Sequence, residues 1–220
     1  MKKTAIILGA SGLTGGILLE KLINDERYEI IKLFSRSKME GMPSKVQQFV
    51  GNIIELENFK NDFTADDVFC CIGTTAKKTP DKKMYKSIDF GIPVKAAQLS
   101  KENKNSTFIV ISAMGANESS AIFYNKTKGE METEVLQKNI PNTYILRPSI
   151  IEGNRNENRI GENIGLKILK LIQPLMRGSL KKYQIITAET IAQAMVNLAN
   201  NKIYEEQIFP SDKIKQLALN

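Results

Sequence analysis

Short apolar runs alternate along the chain with longer stretches whose apolar positions recur at helical spacing. The runs predict strands at Thr4–Leu8, Glu29–Phe34, Val46–Val50, Asp67–Cys71, Thr107–Ile111 and Thr143–Arg147. Between the first two, Leu13, Ile17, Leu18, Leu22 and Ile23 fall on one face of a helix over Leu13–Asn24. Asp81–Lys101 and Ser120–Lys138 are also helical in pattern, and Asn139 and Pro141 stop the second. Strand and helix in alternation predict an α/β fold, a doubly wound parallel sheet covered by helices on both faces.

After Pro148 the pattern loosens. "EGNRNENRIGENIG" is polar and punctuated by glycine, as in a loop. Apolar helices follow near Ile164–Ile172, ending before Pro174, and at Ala188–Asn200. With no linker visible, residues 1–220 are expected to form a single domain. Residues 149–220 would supply the polar loop and a small cap over the carboxyl ends of the strands, where ligands of open α/β sheets bind.

Composition narrows the chemistry. A chain of 220 residues, 42% hydrophobic, can bury a core without staples. It holds no histidine, which removes Ser-His-Asp and Cys-His machinery and any histidine-ligated metal. No metal site is expected, so catalysis would fall to Tyr, Lys, Ser, Cys or carboxylates. Cys70 and Cys71 are adjacent in an apolar strand and point to opposite faces, as two small buried hydrophobes would. The net charge of +7 is spread along the chain and densest at "KKTPDKK", either a solvated loop or an attraction for an anionic ligand. No basic stripe interleaved with aromatics suggests nucleic acid. The opening apolar run breaks at Gly9, too short for a secretory signal, and no stretch suits a membrane span. A cytoplasmic protein is expected.

The strongest motif is "TAIILGASGLTGGILLEKL", in which Gly9, Gly12 and Gly15 fall between a predicted strand and a predicted helix. That is the context in which a glycine turn receives a dinucleotide. Gly9 would turn the chain, Gly12 would admit the pyrophosphate, and Gly15 would let helix and strand pack closely. Ser11, Leu13 and Thr14 complete the cradle, at a helix start that favours an anion. At the end of the second strand an NAD site usually has a carboxylate, but here stand Ser35, Arg36, Ser37 and Lys38. Arg36 with Ser37 suits a 2′-phosphate, so NADP(H) is expected in preference to NAD(H). Asn52 and Ile53 would flank the adenine, and Ile72, Gly73 and Thr74 would pass the ribose and pyrophosphate.

Two Tyr-x-x-x-Lys pairs occur. Tyr28 and Lys32 lie on a strand, where such a spacing spans about 13 Å. Tyr124 and Lys128 lie on a predicted helix, where i and i+4 share a face. Ser112 closes the fifth strand. A carbonyl that gains hydride must also gain a proton. A tyrosine whose pKa is drawn down by a lysine can move it, while a serine hydroxyl holds the substrate oxygen.

These segments together, "GASGLTG", "CCIGTT", "ISAMGA", "YNKTKGEME" and "LRPSIIEGNRNENR", resemble the short-chain dehydrogenase/reductase superfamily over nearly the whole chain. Within it the chain looks most like the atypical group of Tat-interacting oxidoreductases and NmrA-like NADP-binding proteins. The resemblance implies a Rossmann fold, Tyr124 as acid/base with Ser112 as its partner, and Lys128 on the nicotinamide ribose. It places Pro148 through Ile151 beside the nicotinamide and Arg159 on a cofactor phosphate or the substrate, with Arg147 ordering the strand end. The chain departs from the superfamily's pattern at Asp89, where many members carry asparagine in a proton relay. The resulting expectation is an NADP-dependent oxidoreductase for a small carbonyl or alcohol substrate, without nucleic-acid or membrane partners. A homodimer through the Ser120–Lys138 helix is expected by analogy. The other reading kept open is a non-catalytic NADP(H) sensor that regulates a partner protein.

Overall fold

The computed structural model describes residues 2–152, 178–201 and 203–219. Strand β1 (Lys3–Leu8) leads into α1 (Leu13–Asn24), then β2 (Tyr28–Ser35), β3 (Val46–Val50), a 3-10 helix (Ile53–Phe59) and β4 (Asp67–Cys70). There follow α2 (Lys82–Lys86), a π turn (Ser87–Gly91), α3 (Ile92–Glu102), β5 (Thr107–Ile111), α4 (Phe123–Leu136), β6 (Asn142–Arg147) and β7 (Ile151–Glu152). A 3-10 helix (Gly178–Tyr183), β8 (Ile186–Thr187), α5 (Ala188–Asn200), β9 (Ile208–Pro210) and α6 (Ser211–Leu217) complete the described chain.

The main sheet has seven strands in the order β3-β2-β1-β4-β5-β6-β9. Every pairing in it is parallel. The order reverses direction beside β1, which opens a crevice above the carboxyl ends of β1 and β4. The central strands are apolar on both faces because both are covered. Ala5 and Ile7 of β1, with Phe69, Ile109 and Leu146, pack against Leu18 and Leu22 of α1 and Ile191 and Met195 of α5. Ile6 and Leu8, with Val68, Cys70, Val110 and Ile145, pack on the other face against Ala96 of α3 and Met131 and Val135 of α4.

The six predicted strands and the helix at Leu13–Asn24 are present, with ends shifted by no more than one residue. The predicted helix Asp81–Lys101 is divided by the π turn. Pro93 lacks an N–H and its ring would collide with the carbonyl of Asp89 in a regular helix, so the backbone widens there. The helix predicted at Ser120–Lys138 begins later, at Phe123, after a turn in which Ile122 N–H donates to Ser120 Oγ at 3.1 Å. Its stop is as expected, with Asn139 in the left-handed region at φ 52°. The tail does more than cap the sheet, since α5 fills one core layer and β9 extends the sheet beside β6. Three-residue β9 and two-residue β7 and β8 were too short to show a period in the sequence. The helix expected near Ile164–Ile172 lies outside the described residues.

Candidate functional site

The turn between β1 and α1 is built on backbone contacts that exclude side chains. Gly9 sits at φ +85°, and a Cβ there would stand 2.8 Å from the carbonyl oxygen of Cys71. A Cβ on Gly15 would overlap the Gly9 carbonyl outright. Gly12 N–H donates to the Gly9 carbonyl at 2.9 Å, and Gly16 N–H to the Gly12 carbonyl at 2.8 Å. No side chain caps α1 and no carboxylate occupies its first turn. The positive end of the helix therefore opens on the crevice beside exposed Ser11 and Gly12, with Leu13 half-buried and Thr14 buried behind them.

At the end of β2, Arg36, Ser37 and Lys38 are exposed, and Ser35 Oγ donates to the Ser37 carbonyl at 2.8 Å. Asn52 follows β3 and caps the 3-10 helix, accepting from Ile54 N–H at 3.2 Å. Ile53, expected beside an adenine, instead turns into the core next to Leu56 and Phe63. The apolar face of its 3-10 helix draws it inward, which leaves Asn52 as the exposed member of the pair.

The loop after β4 is tied to the π turn. Thr74 N–H donates to Asp89 Oδ2 at 2.7 Å, and the Thr74 and Thr79 hydroxyls stand 2.9 Å apart. Gly73 is exposed and a Cβ there would reach 3.7 Å from Asp89 Oδ1. Lys128 Nζ lies 2.9 Å from the same Oδ1, with side-chain exposures of 4% and 1%. The contact is an ion pair rather than an aligned hydrogen bond. A buried ammonium and a buried carboxylate would each be costly alone, and the pair offsets much of that cost.

Tyr124 stands one helical turn before Lys128 and keeps 40% of its surface exposed. Burial of its hydroxyl end pushes its pKa up, the Lys128 ammonium draws it back, and the Asp89 carboxylate pushes it up again. The net direction is upward. This corrects the expectation of a phenol drawn toward neutral pH, because burial outweighs the pull of the Lys128 ammonium and the Asp89 carboxylate adds to the upward push. The other Tyr-x-x-x-Lys pair is structural, as its spacing implied. Tyr28 Oη donates to buried Asp67 at 2.7 Å, while Lys32 Nζ binds the carbonyls of Asp62 and Thr64.

Ser112, directly after β5, is placed differently from expectation. Its hydroxyl donates to Glu132 Oε1. Arg147 grips the same carboxylate through Nε, at 2.9 and 3.1 Å, and through Nη2. Ser112 is thus joined to Glu132 and Arg147, and its one proton is committed. Arg147 orders the end of β6, as expected. Glu132 was missed by sequence reasoning, although it follows Tyr124 and Lys128 at successive fourth positions and so shares their helix face. Tyr85 was missed as well. It is buried under Phe123, with ring centroids 5.6 Å apart, and its hydroxyl has no hydrogen-bond partner among the described residues.

The last segment runs past the same edge. The Pro148 carbonyl accepts from Met114 N–H at 2.9 Å. Ser149 N–H donates to Ser211 Oγ at 2.6 Å and its hydroxyl donates to the Gln184 carbonyl. Ile151 pairs with Ile186 in the small β7-β8 sheet. Arg159 lies outside the described residues. No membrane-spanning helix and no cluster of metal-ligating side chains occurs among the described residues.

A doubly wound parallel sheet of this order, with a glycine turn after its first strand, defines the class as the Rossmann fold of the short-chain dehydrogenases/reductases. Solved structures agree. UDP-glucose 4-epimerase from Thermotoga maritima matches with a TM-score of 0.69 at 16% identity, over 98% of this chain and 81% of that one. The Bordetella bronchiseptica enzyme WbmH, solved in complex with NAD+, matches with a TM-score of 0.69 at 16% identity over 99% and 80%. No family model matches the chain. Among curated proteins, FMP52 of Debaryomyces hansenii is 30% identical over 209 residues, 91% of this chain and 89% of the relative. HTATIP2 of Rattus norvegicus is 30% identical over 199 residues, 89% and 80% of the two chains. The chain belongs to the HTATIP2/FMP52 family of atypical, NmrA-like short-chain dehydrogenases/reductases.

These relatives overturn one expectation. The FMP52 proteins of Debaryomyces hansenii and Candida albicans are mitochondrial by name, against the cytoplasmic placement read from the sequence. That reading rested on the lack of an apolar secretory segment, which says nothing about mitochondrial import, whose signals are amphipathic.

Proposed function

We propose that the protein is an NADP-linked oxidoreductase that interconverts a small carbonyl compound and its alcohol. The observation that carries this reading is the buried Asp89–Lys128 pair beside Tyr124, tied through Thr74 to the loop bordering the crevice. Such an array sets a phenolic proton next to a fixed ammonium, at the edge where open α/β sheets take ligands.

The residues present fit a nicotinamide dinucleotide. Gly9, Gly12 and Gly15 leave room for a diphosphate at the start of α1, where Ser11, Leu13 and Thr14 border it. Arg36 and Ser37, with no carboxylate among residues 35–38, suit a 2′-phosphate. Asn52 would border the adenine, and Ile72, Gly73, Thr74, Pro148 and Ile151 would line the remainder. Lys128 would hydrogen-bond the nicotinamide ribose. When bound, the cofactor supplies or takes up the hydride.

Tyr124 carries the proton. Its raised pKa keeps the hydroxyl protonated at neutral pH, so it donates to the substrate oxygen as a carbonyl is reduced. In the reverse direction it must first lose that proton. The Ser112 hydroxyl donates its hydrogen bond to Glu132, so toward the substrate its oxygen offers lone pairs and accepts from a substrate hydroxyl. The role of donor to a carbonyl, expected from the sequence, passes to Tyr124 alone.

Fluorescence titration with NADPH and NADH, followed by a carbonyl screen, tests the reading. Tyr124→Phe is expected to lower turnover by about 100-fold or more with NADPH binding retained. Turnover that survives removes Tyr124 from its role. Arg36→Asp is expected to shift preference toward NADH, and equal loss of both cofactors contradicts the assignment of Arg36. One observation favours the second reading, a non-catalytic NADP(H) sensor: the Ser112 hydroxyl is turned onto Glu132 rather than left to donate to a substrate oxygen. NADPH binding with no turnover of any carbonyl would select it.

A further inference from the structure

The start of α4 presents an apolar platform at the mouth of the site. Ile122, Phe123 and Tyr124 are consecutive and keep 63%, 36% and 40% of their surfaces exposed. Large apolar side chains seldom stand open in series without a partner to meet. The platform has a firm base, because Tyr85 of α2 packs edge-on beneath Phe123 at 5.6 Å. The unpartnered Tyr85 hydroxyl lies within electrostatic reach of Asp89 and Tyr124.

One positive charge overlooks the platform. Lys82 Nζ stands 5.5 Å from the Phe123 ring centroid. It makes no ion pair among the described residues, and the nearby carboxylates are engaged elsewhere. Asp81 caps α2 by accepting from Met84 N–H at 2.7 Å. Glu130 is held by Lys86 at 2.6 Å, and Asp89 by Lys128 at 2.9 Å. Lys83 is exposed on the same short helix and adds to the local positive field.

We propose that the substrate is an apolar carbonyl compound bearing a carboxylate, its body lying on Ile122 and Phe123, its carbonyl at Tyr124 and its carboxylate at Lys82. One ammonium over an aromatic ring matches one unit of negative charge on an apolar frame. The assignment rests on the reading of Tyr124 as the proton carrier and adds the class of molecule it acts on.

Benzaldehyde and 4-carboxybenzaldehyde form a test pair that differs only in the charged group. Binding of each to the protein in saturating NADPH is read by calorimetry, and turnover by NADPH absorbance. The wild-type protein should prefer the carboxylated aldehyde by about fivefold, less at high salt. Lys82→Ala should abolish the preference between the two aldehydes and Lys82→Glu should invert it. Equal binding of the two aldehydes, a preference that survives Lys82→Ala, or binding of neither overturns the proposal. A Lys82-dependent binding preference without turnover supports this site and removes the oxidoreductase reading instead.

Discussion

At the scale of single residues, the balance of charge around one phenol decides how the site behaves. Lys128 alone would draw Tyr124 toward its phenolate, as the Tyr-x-x-x-Lys spacing implies. Burial of the phenol opposes it, and Asp89 adds to the opposition from the π turn. A group whose pKa is raised holds its proton over a wider range, so the acid form dominates at neutral pH. Carbonyl reduction should therefore be nearly flat through neutrality. Alcohol oxidation, which needs the phenolate, should have a kcat/KM that still climbs near pH 10, the ordinary tyrosine value. A pH profile of both directions checks this, and an oxidation limb that levels off near neutrality would contradict it. The Tyr124–Lys128 pairing was legible because both partners lie four positions apart on one helix. Asp89 stood out in the sequence only as a departure from the superfamily's pattern, since its 39-residue separation from Lys128 is closed by the fold alone.

At the scale of elements, backbone proximity rather than side-chain chemistry builds the cradle. The β1–α1 turn works only if α1 starts against the carbonyl of Gly9, and Gly15 is where the helix meets it. Gly15→Ala must push α1 outward, at a cost of about 1–3 kcal/mol or more for an overpacked contact. The expected result is a lower urea midpoint together with loss of NADPH binding, measured on the same preparation. Strand, turn and helix were legible here because glycine spacing and hydrophobic period agree. The π turn was less so. Pro93 signals a break, but not that the helix resumes and carries Asp89 inward to Thr74 and Lys128.

At the scale of the whole molecule, the end of the sheet remote from the site is joined by a buried polar network. Asp67 accepts from Tyr28 Oη at 2.7 Å and pairs with Lys3 at 3.0 Å. Asn200, at the end of α5, donates to the Tyr28 hydroxyl at 2.8 Å, and Lys3 also donates to the Ala199 carbonyl at 2.6 Å. The network ties α5 to β1, β2 and β4. Tyr28→Phe would leave the carboxylate of Asp67 short of a donor and Asn200 short of an acceptor, a loss of about 1–3 kcal/mol in urea unfolding. Since this network lies at the opposite end of the strands, the affinity for NADPH should not change. An altered affinity would show that the two ends of the sheet are coupled.

The strand order's raw material, the two-faced apolar runs, the glycine turn and the helix bearing Tyr124 and Lys128 were all determined by the sequence. Each rests on spacing within a few residues, where propensity and period act directly. The tertiary structure alone decided which charges meet across long separations. It set Asp89 against Lys128, turned the Ser112 hydroxyl and the Arg147 guanidinium onto the one carboxylate of Glu132, and drew the short β9 into the sheet beside β6. Burying a charge or an open strand edge requires a partner, and that partner is fixed by packing rather than by sequence neighbours.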